Sequence, residues 1–136
     1  MYLLSRVDPI DLGDGYCGTT ALRMLVKGKD DFESLLSELE KNSKKDLSRL
    51  ILCLKILREM KLEDMIGKFS WLKRMKGLDG IYQLRVNQNR TYFFSYNKSD
   101  RYIVFLNHCQ KKRNRTDQKV LDKAKRWKEE AEGHLD

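Results

Sequence analysis

Cationic and aromatic side chains concentrate in one part of this 136-residue chain, and their types suit work on a phosphodiester. Arg85, Arg90 and Tyr92 fall in two strand-like runs, and His108 ends a third. Arginine neutralises phosphates, tyrosine stacks on bases, and histidine or tyrosine can move protons. The neighbouring basic residues that could hold RNA are Lys73, Arg74, Lys76, Lys111, Lys112, Arg113 and Arg115.

RNA carries its own nucleophile, the 2′-hydroxyl, so a protein surface can cleave it without a metal or a cofactor. The protein must remove the 2′-proton, neutralise the phosphorane and protonate the leaving 5′-oxygen. Arginine and lysine suit the second task, because preorganised positive charge stabilises developing negative charge. For Tyr92 the alternative is a packed core residue with a satisfied hydroxyl. The predicted catalytic candidates are Arg85, Arg90, Tyr92, His108, Lys111 and Lys112.

Three strand-like runs must position these side chains. They are rich in β-branched and aromatic residues and are separated by short polar breaks, a pattern typical of consecutive antiparallel hairpins. Alternation predicts that Arg85 points to the open face, and that Arg90 and Tyr92 share a face. The runs cover residues 81–86, 90–96 and 101–108.

Two amphipathic helices are predicted before these runs, over residues 30–41 and 43–60, because apolar residues recur there at helical spacing. Ser43 followed by Asp46 resembles a capping box between them. The tight link predicts an antiparallel helical hairpin that covers the sheet. A groove for a partner helix is the alternative interpretation of the apolar stripes.

The remaining segments complete an α+β prediction: a small antiparallel-rich sheet with an N-terminal helical hairpin and a C-terminal helix. Residues 20–27 favour a strand, residues 63–80 a connector, and the chain after Arg115 a surface helix capped by Thr116 or Asp117. Residues 1–18 are predicted to be an irregular extension with at most one short strand. Residues 19–136 are predicted to form the single domain.

Charge and cysteine content narrow the class of protein. Lys and Arg total 28 against 20 Asp and Glu, and the net charge of +8 favours RNA, DNA, the ribosome or an acidic protein as partner. The three cysteines show no CxxC and no metal-ligand spacing, so we expect neither a disulfide framework nor a zinc site. The sequence contains no signal-peptide pattern and no long apolar run, so we expect a cytoplasmic protein without membrane contact.

Residues from about 20 to 130 resemble the RelE/HigB superfamily of type II toxins, and in particular its phage-derived HigB-like branch. The resemblance rests on Tyr82-Gln83-Leu84-Arg85, on the run RTYFF that begins at Arg90, and on Lys111-Lys112 after an apolar strand. It implies a RelE-like fold, a cognate helix-turn-helix antitoxin, and metal-independent cleavage of mRNA in the ribosomal A site. The protein would thereby inhibit translation.

The resemblance also implies roles for single residues. Arg85 and Arg90 would contact the scissile phosphate, and Lys111 and Lys112 would hold RNA or assist catalysis. Asn107 stands where the superfamily often has histidine, which implies orientation or hydrogen bonding. Two alternatives stay open: a non-enzymatic toxin of the ParE branch that binds DNA gyrase, and a detoxified RNA-binding or antitoxin-binding domain.

Overall fold

The computed structural model describes residues 5–9, 20–26, 29–59, 62–78, 80–97, 101–110 and 118–135. Strands and helices occur in separate runs along the chain, an α+β arrangement, as the sequence predicts. Their bounds are β1 Ser5–Pro9, β2 Thr20–Val26, β3 Lys29–Asp30, α1 Asp31–Asn42, α2 Lys44–Glu59, α3 Leu62–Met65, β4 Leu72–Arg74, β5 Ile81–Val86, β6 Asn89–Asn97, β7 Arg101–Gln110 and α4 Gln118–Leu135.

All seven described strands join one sheet in the order β1-β2-β7-β6-β5-β4, with β3 paired to β2. The predicted hairpins are confirmed, since β5 pairs antiparallel with β6 and β6 with β7. Asn87 begins the turn between β5 and β6 with a φ of 56°, a conformation that asparagine tolerates well. The parallel pairing of β2 with β7 was not predicted. The sheet is therefore mixed, although antiparallel pairs dominate it.

Each face of the sheet carries its own apolar cluster. On one face, here called the α1/α2 face, Leu84, Val86, Phe93 and Phe105 pack against apolar residues of α1 and α2. On the other, the α4 face, the sheet residues Ile81, Tyr92, Phe94, Val104 and Leu106 pack against Ala124, Trp127 and Ala131 of α4. Alternation along β5 and β6 produces this division, because successive side chains point to opposite faces.

The two predicted helices are confirmed, and Ser43 alone separates them. Its Oγ accepts a hydrogen bond from the Asp46 backbone N–H at 3.3 Å, which is the Ser half of the predicted capping box. Both helices bury their stripes in the α1/α2 cluster, so these stripes form core. Leu52, 59% exposed, is the exception on α2.

One segment differs from the prediction. The expected connector contains α3 and β4; in β4 only Leu72 is buried, and three residues are too few to show a period. The short strand expected within residues 1–18 is β1, and it pairs antiparallel with β2 at the edge of the sheet. The division of the chain at residue 18 stays a prediction. No helix in the described ranges has the length and apolar character to span a membrane.

Candidate functional site

Two arginines face each other across the β5–β6 hairpin. Arg85 and Arg90 are direct partners in the antiparallel register, and both belong to the α4 face by alternation with Ile81 and Tyr92. Opposite residues in such a pair lie about 5 Å apart at Cβ, and like charges there destabilise the sheet. We call these two residues the arginine pair. The predicted sharing of a face by Arg90 and Tyr92 is confirmed, and the register places Arg85 on the same face.

Arg90 is buried, with 8% of its surface exposed, and backbone carbonyls of the adjoining turn hold its guanidinium. Its Nη1 donates to the carbonyl oxygen of Asn87 at 2.7 Å and to that of Asn89 at 3.3 Å. Burial lowers the pKa of Arg90 below its usual value, and the positive charge of Arg85 lowers it further. Arginine nevertheless stays protonated in proteins, so the group is a fixed cation whose charge an anion would stabilise.

Arg85 is exposed and is tied to the chain that enters β4. Its backbone N–H donates to the carbonyl of Trp71 at 2.8 Å, and its Nη2 donates to the carbonyl of Ser70 at 3.2 Å. The segment before β4 therefore positions the Arg85 side chain. The pair thus combines one held, buried cation with one exposed cation, an arrangement suited to a phosphate that arrives from solvent.

Tyr92 lies beside the arginine pair but has no exposed surface. Its hydroxyl accepts a hydrogen bond from Gln83 Nε2 at 3.3 Å and lies 3.9 Å from Cys109 Sγ. The sequence predicted an exposed tyrosine that could stack on a base; this expectation is wrong for Tyr92, because Phe94, Leu106 and other residues of the α4-face cluster enclose it. The alternative interpretation, a packed tyrosine with a satisfied hydroxyl, is the one that the structure supports.

A β-bulge in β7 determines which face its polar residues take. Thr91 pairs with His108 and Phe93 with Phe105, so two residues of β7 stand opposite Tyr92 alone. Leu106 and Asn107 both project to the α4 side. There, Asn107 is buried, and its Nδ2 donates to the carbonyl of Val120 at 3.0 Å.

The bulge separates His108 from the arginine pair. His108 Nε2 lies 3.9 Å from the Glu38 carboxylate of α1, on the α1/α2 side of the sheet. The next residue, Cys109, returns to the α4 face and is the partner of Arg90 in the register. The structure therefore does not bring His108 together with Arg85 and Arg90, although the sequence grouped them.

The predicted RNA-binding residues near β4 are divided in the same way. Lys73 is the partner of Gln83 and lies on the α4 side with Arg85. Arg74 is the partner of Tyr82, and its Cζ lies 5.8 Å from the centroid of the Tyr82 ring. Lys76 is exposed in the turn after β4. The other predicted basic residues, Lys111, Lys112, Arg113 and Arg115, lie outside the described residues.

The arginine pair lies at the end of the α4 face nearer the β5–β6 turn. Helix α4 packs over the row formed by Ile81, Phe94 and Val104, while Arg85, Arg90 and Cys109 form a row nearer the β5–β6 turn. The site therefore contains one exposed and one buried cation, and the buried Gln83–Tyr92 pair is the next pair on the same face of the hairpin. Such an arrangement can bind a phosphate and stabilise extra negative charge on it.

Two site features had little signal in the sequence. The hydrogen bond from Gln83 to Tyr92 has no signal in the sequence, because that contact depends on the hairpin register. The aromatic residues Phe69 and Trp71 were predicted only as part of a connector. Their rings pack with centroids 5.1 Å apart beside Arg85. The sequence feature that could have indicated this pair is two aromatic residues, two positions apart, between Lys68 and Lys73.

Comparison with known proteins identifies the family of this chain. A family model described as "Phage derived protein Gp49-like (DUF891)" matches residues 34–129, which span α1 to α4 and include the arginine pair. No curated protein matches the chain. This family is related to toxin–antitoxin systems, and a partner antitoxin is suggested by that membership. The chain belongs to the phage-derived Gp49-like family, a member of the RelE/HigB-like toxin superfamily.

Proposed function

We propose that this protein is the toxin of a type II toxin–antitoxin system and that it cleaves mRNA on the ribosome in the cytoplasm. The observation that carries the proposal is the arginine pair. Two cations stand opposite each other in the sheet, Arg85 exposed and Arg90 buried, at a cost in stability that a bound phosphate would offset. Membership of a toxin–antitoxin family gives this anion site a biological context.

In the proposed reaction the 2′-oxygen of the RNA attacks the adjacent phosphorus, and the bond from phosphorus to the 5′-oxygen breaks. The products are a 2′,3′-cyclic phosphate and a 5′-hydroxyl. A base takes the 2′-proton and an acid supplies a proton to the 5′-oxygen. Arg85 and Arg90 stabilise the extra charge on the phosphorane, and no metal is required because the RNA itself carries the nucleophile.

Not every predicted catalytic residue suits a role in proton transfer. The Tyr92 hydroxyl is buried and bonded to Gln83, so we assign it to supporting the site rather than to proton transfer. His108 is omitted from the reaction because it lies on the opposite side of the sheet. Lys111 and Lys112 keep their proposed roles in holding RNA or assisting proton transfer.

An in-vitro translation reaction with primer extension on the mRNA tests the proposal. We expect discrete cuts within translated codons at protein doses that inhibit synthesis. Intact mRNA at an inhibitory dose would contradict it, and inhibition of gyrase supercoiling with intact mRNA would establish the ParE-like alternative. Growth that continues normally on overexpression would indicate a detoxified domain.

The proposed partner is a small helix-turn-helix antitoxin encoded beside this protein. Its test is co-expression: growth arrest caused by the toxin alone should be relieved when the neighbouring reading frame is expressed with it. Arrest that persists, with both proteins present at similar levels, would contradict this assignment.

A further inference from the structure

A cleft of about 450 Å³ lies next to the arginine pair, between the chain entering β4 and strand β5. We call it the β4 cleft and define it by Lys68, Phe69, Trp71, Lys73, Gln83 and Arg85. Its volume falls in the range of about 300–1,000 Å³ typical of small-molecule sites. Helix α4 and its apolar cluster do not contribute to its lining.

The chemistry of the β4 cleft combines cations with aromatic rings. Lys68, Lys73 and Arg85 are exposed, and none of the described lining residues is acidic. Phe69 and Trp71 are half-buried, and their ring planes meet at 39°. Proteins that bind single-stranded nucleic acid use this combination, in which positive groups follow the backbone and aromatic rings stack on bases.

Arg85 connects the cleft to the arginine pair. Its guanidinium donates to the carbonyl of Ser70, within the segment that carries Phe69 and Trp71. In the sheet, the same residue stands opposite Arg90. An RNA strand with one phosphate at the arginine pair can therefore place an adjoining nucleotide in the cleft.

We propose that the β4 cleft is a nucleotide subsite for single-stranded RNA. A base flanking the scissile phosphate stacks on Phe69 or Trp71, and the adjoining backbone contacts Lys68 and Lys73. This inference rests on the proposed function, because it assigns the RNA substrate of the same site. It adds aromatic recognition that the buried Tyr92 does not provide.

Tryptophan fluorescence tests the subsite directly. The chain has two tryptophans, and Trp127 is buried under α4, so Trp71 reports on the cleft. The probe is a mixed-sequence 2′-O-methyl RNA hexanucleotide, which cannot be cleaved by its own 2′-oxygen. We expect saturable quenching of Trp71, measured in wild type and in Trp127→Phe. Inorganic polyphosphate, which has charge but no bases, should compete for binding without quenching.

Variants separate stacking from charge. Phe69→Leu should weaken hexanucleotide binding roughly 10-fold, within the range for loss of one stacked base, and should leave polyphosphate binding unchanged. Lys73→Ala should weaken both ligands more than Arg74→Ala does, since these neighbours lie on opposite sides of the sheet. Thermal melting checks that each variant is folded.

The outcomes distinguish this inference from the proposed function. Hexanucleotide binding that leaves Trp71 emission unchanged, or no binding at all, would overturn the subsite even if mRNA is cleaved during translation. Quenching that Phe69→Leu weakens would support the subsite even if the primer-extension assay shows intact mRNA.

Discussion

At the scale of single residues, backbone carbonyls hold both side chains of the arginine pair. Arg90 owes its position to two carbonyls of the β5–β6 turn, and Arg85 owes its position to the carbonyl of Ser70. In all three of these hydrogen bonds the acceptor is a backbone carbonyl and not a carboxylate. Backbone carbonyls orient a guanidinium without neutralising it, so the positive charge stays available for a phosphate.

Replacement of Arg90 tests this assignment. Arg90→Ala should lower the rate of mRNA cleavage about 10²–10³-fold, the usual loss when one transition-state donor is removed. Arg90→Lys should be intermediate, because lysine keeps the charge but lacks the planar guanidinium, which can bind the turn carbonyls and a phosphate at the same time. The measurement is quantitative primer extension, with Arg126→Ala on the exposed part of α4 as a matched arginine control. Equal rates for Arg90→Ala and the control would contradict the assignment.

The buried hydroxyl of Tyr92 leads to a different expectation. Tyr92→Phe removes the acceptor of the Gln83 hydrogen bond and leaves a buried amide unsatisfied, so it should lower the free energy of unfolding by about 1–3 kcal/mol. Addition of Gln83→Leu should recover part of that loss in a double-mutant cycle measured by urea denaturation. Cleavage below the melting temperature should persist in Tyr92→Phe. Its abolition in a folded variant would return Tyr92 to the list of proton-transfer groups.

At the scale of elements, the β5–β6 turn and the start of α2 support each other. Asn87, whose carbonyl accepts from Arg90, donates through Nδ2 to Asp46 Oδ2 at 3.5 Å. Asp46 is buried in the first turn of α2, and its backbone is capped by Ser43. The helix start therefore borders the turn that holds the guanidinium.

The cap gives an element-scale prediction. Ser43→Ala should lower the free energy of unfolding by about 1 kcal/mol, because the Asp46 N–H loses its acceptor at the start of α2. The matched control is Ser48→Ala, since Ser48 is an exposed residue of the same helix and caps nothing. Both are measured by chemical denaturation. A Ser43→Ala effect no larger than the control would show that the cap contributes little.

Cys53 in α2 gives the fold a specific response to alkaline pH. Burial raises the pKa of its thiol from 9.0 to about 11. Between those values the unfolded chain releases this proton while the folded chain keeps it. The free energy of unfolding should therefore fall with rising pH in this interval, by about 1.4 kcal/mol for each unit.

Comparison of wild type with Cys53→Ala isolates this effect from the other groups that titrate there. The variant should be less stable at neutral pH because it leaves a cavity, but the difference between the two proteins should shrink as the pH rises from 9 to 11. The measurement is urea denaturation at intervals across that range. A difference that stays constant would show that the thiol is not protected from ionisation.

At the scale of the whole molecule, the excess of positive charge makes binding of RNA dependent on salt. The affinity of a protein for single-stranded nucleic acid falls with salt by a slope of about 0.7 for each phosphate neutralised. Arg85→Gln should reduce that slope by about 0.7, whereas Arg74→Gln should leave it nearly unchanged because Arg74 lies toward Tyr82. Fluorescence anisotropy of a labelled RNA over a salt series measures both. Equal reductions would show that both sides of the sheet contact RNA.

The fold was predictable from the sequence wherever a period was long enough to be seen. The helical stripes of α1 and α2 and the alternation in β5 and β6 predicted the correct elements and the shared face of Arg90 and Tyr92. Strand β4 has three residues, too few to show a period. The parallel pairing of β2 with β7 also leaves no local signal in the sequence. Pairing between distant strands depends on tertiary contacts that no single segment encodes.

The candidate site was predicted in part, for a related reason. Residue type identified the arginines, but their direct opposition depends on the β5–β6 register. Burial of Tyr92 depends on α4-face neighbours from β7 and α4. The position of His108 depends on one extra residue in β7. Strict alternation through the strand from Phe105 would have placed His108 with the arginine pair. The structure places it with Glu38 instead.

The bulge in β7 also bears on how such chains diverge. Because Leu106 and Asn107 share the place opposite Tyr92, a chain one residue shorter at this point would regain a regular ladder. Phe105 and His108 would then keep their sides, and the strand ends would not move. Residues beyond the bulge should therefore be matched between relatives by counting back from Gln110, the partner of Asn89. Counting forward from Phe105 would instead match Asn107 of this chain with the residue that occupies the place of His108 in the shorter chain.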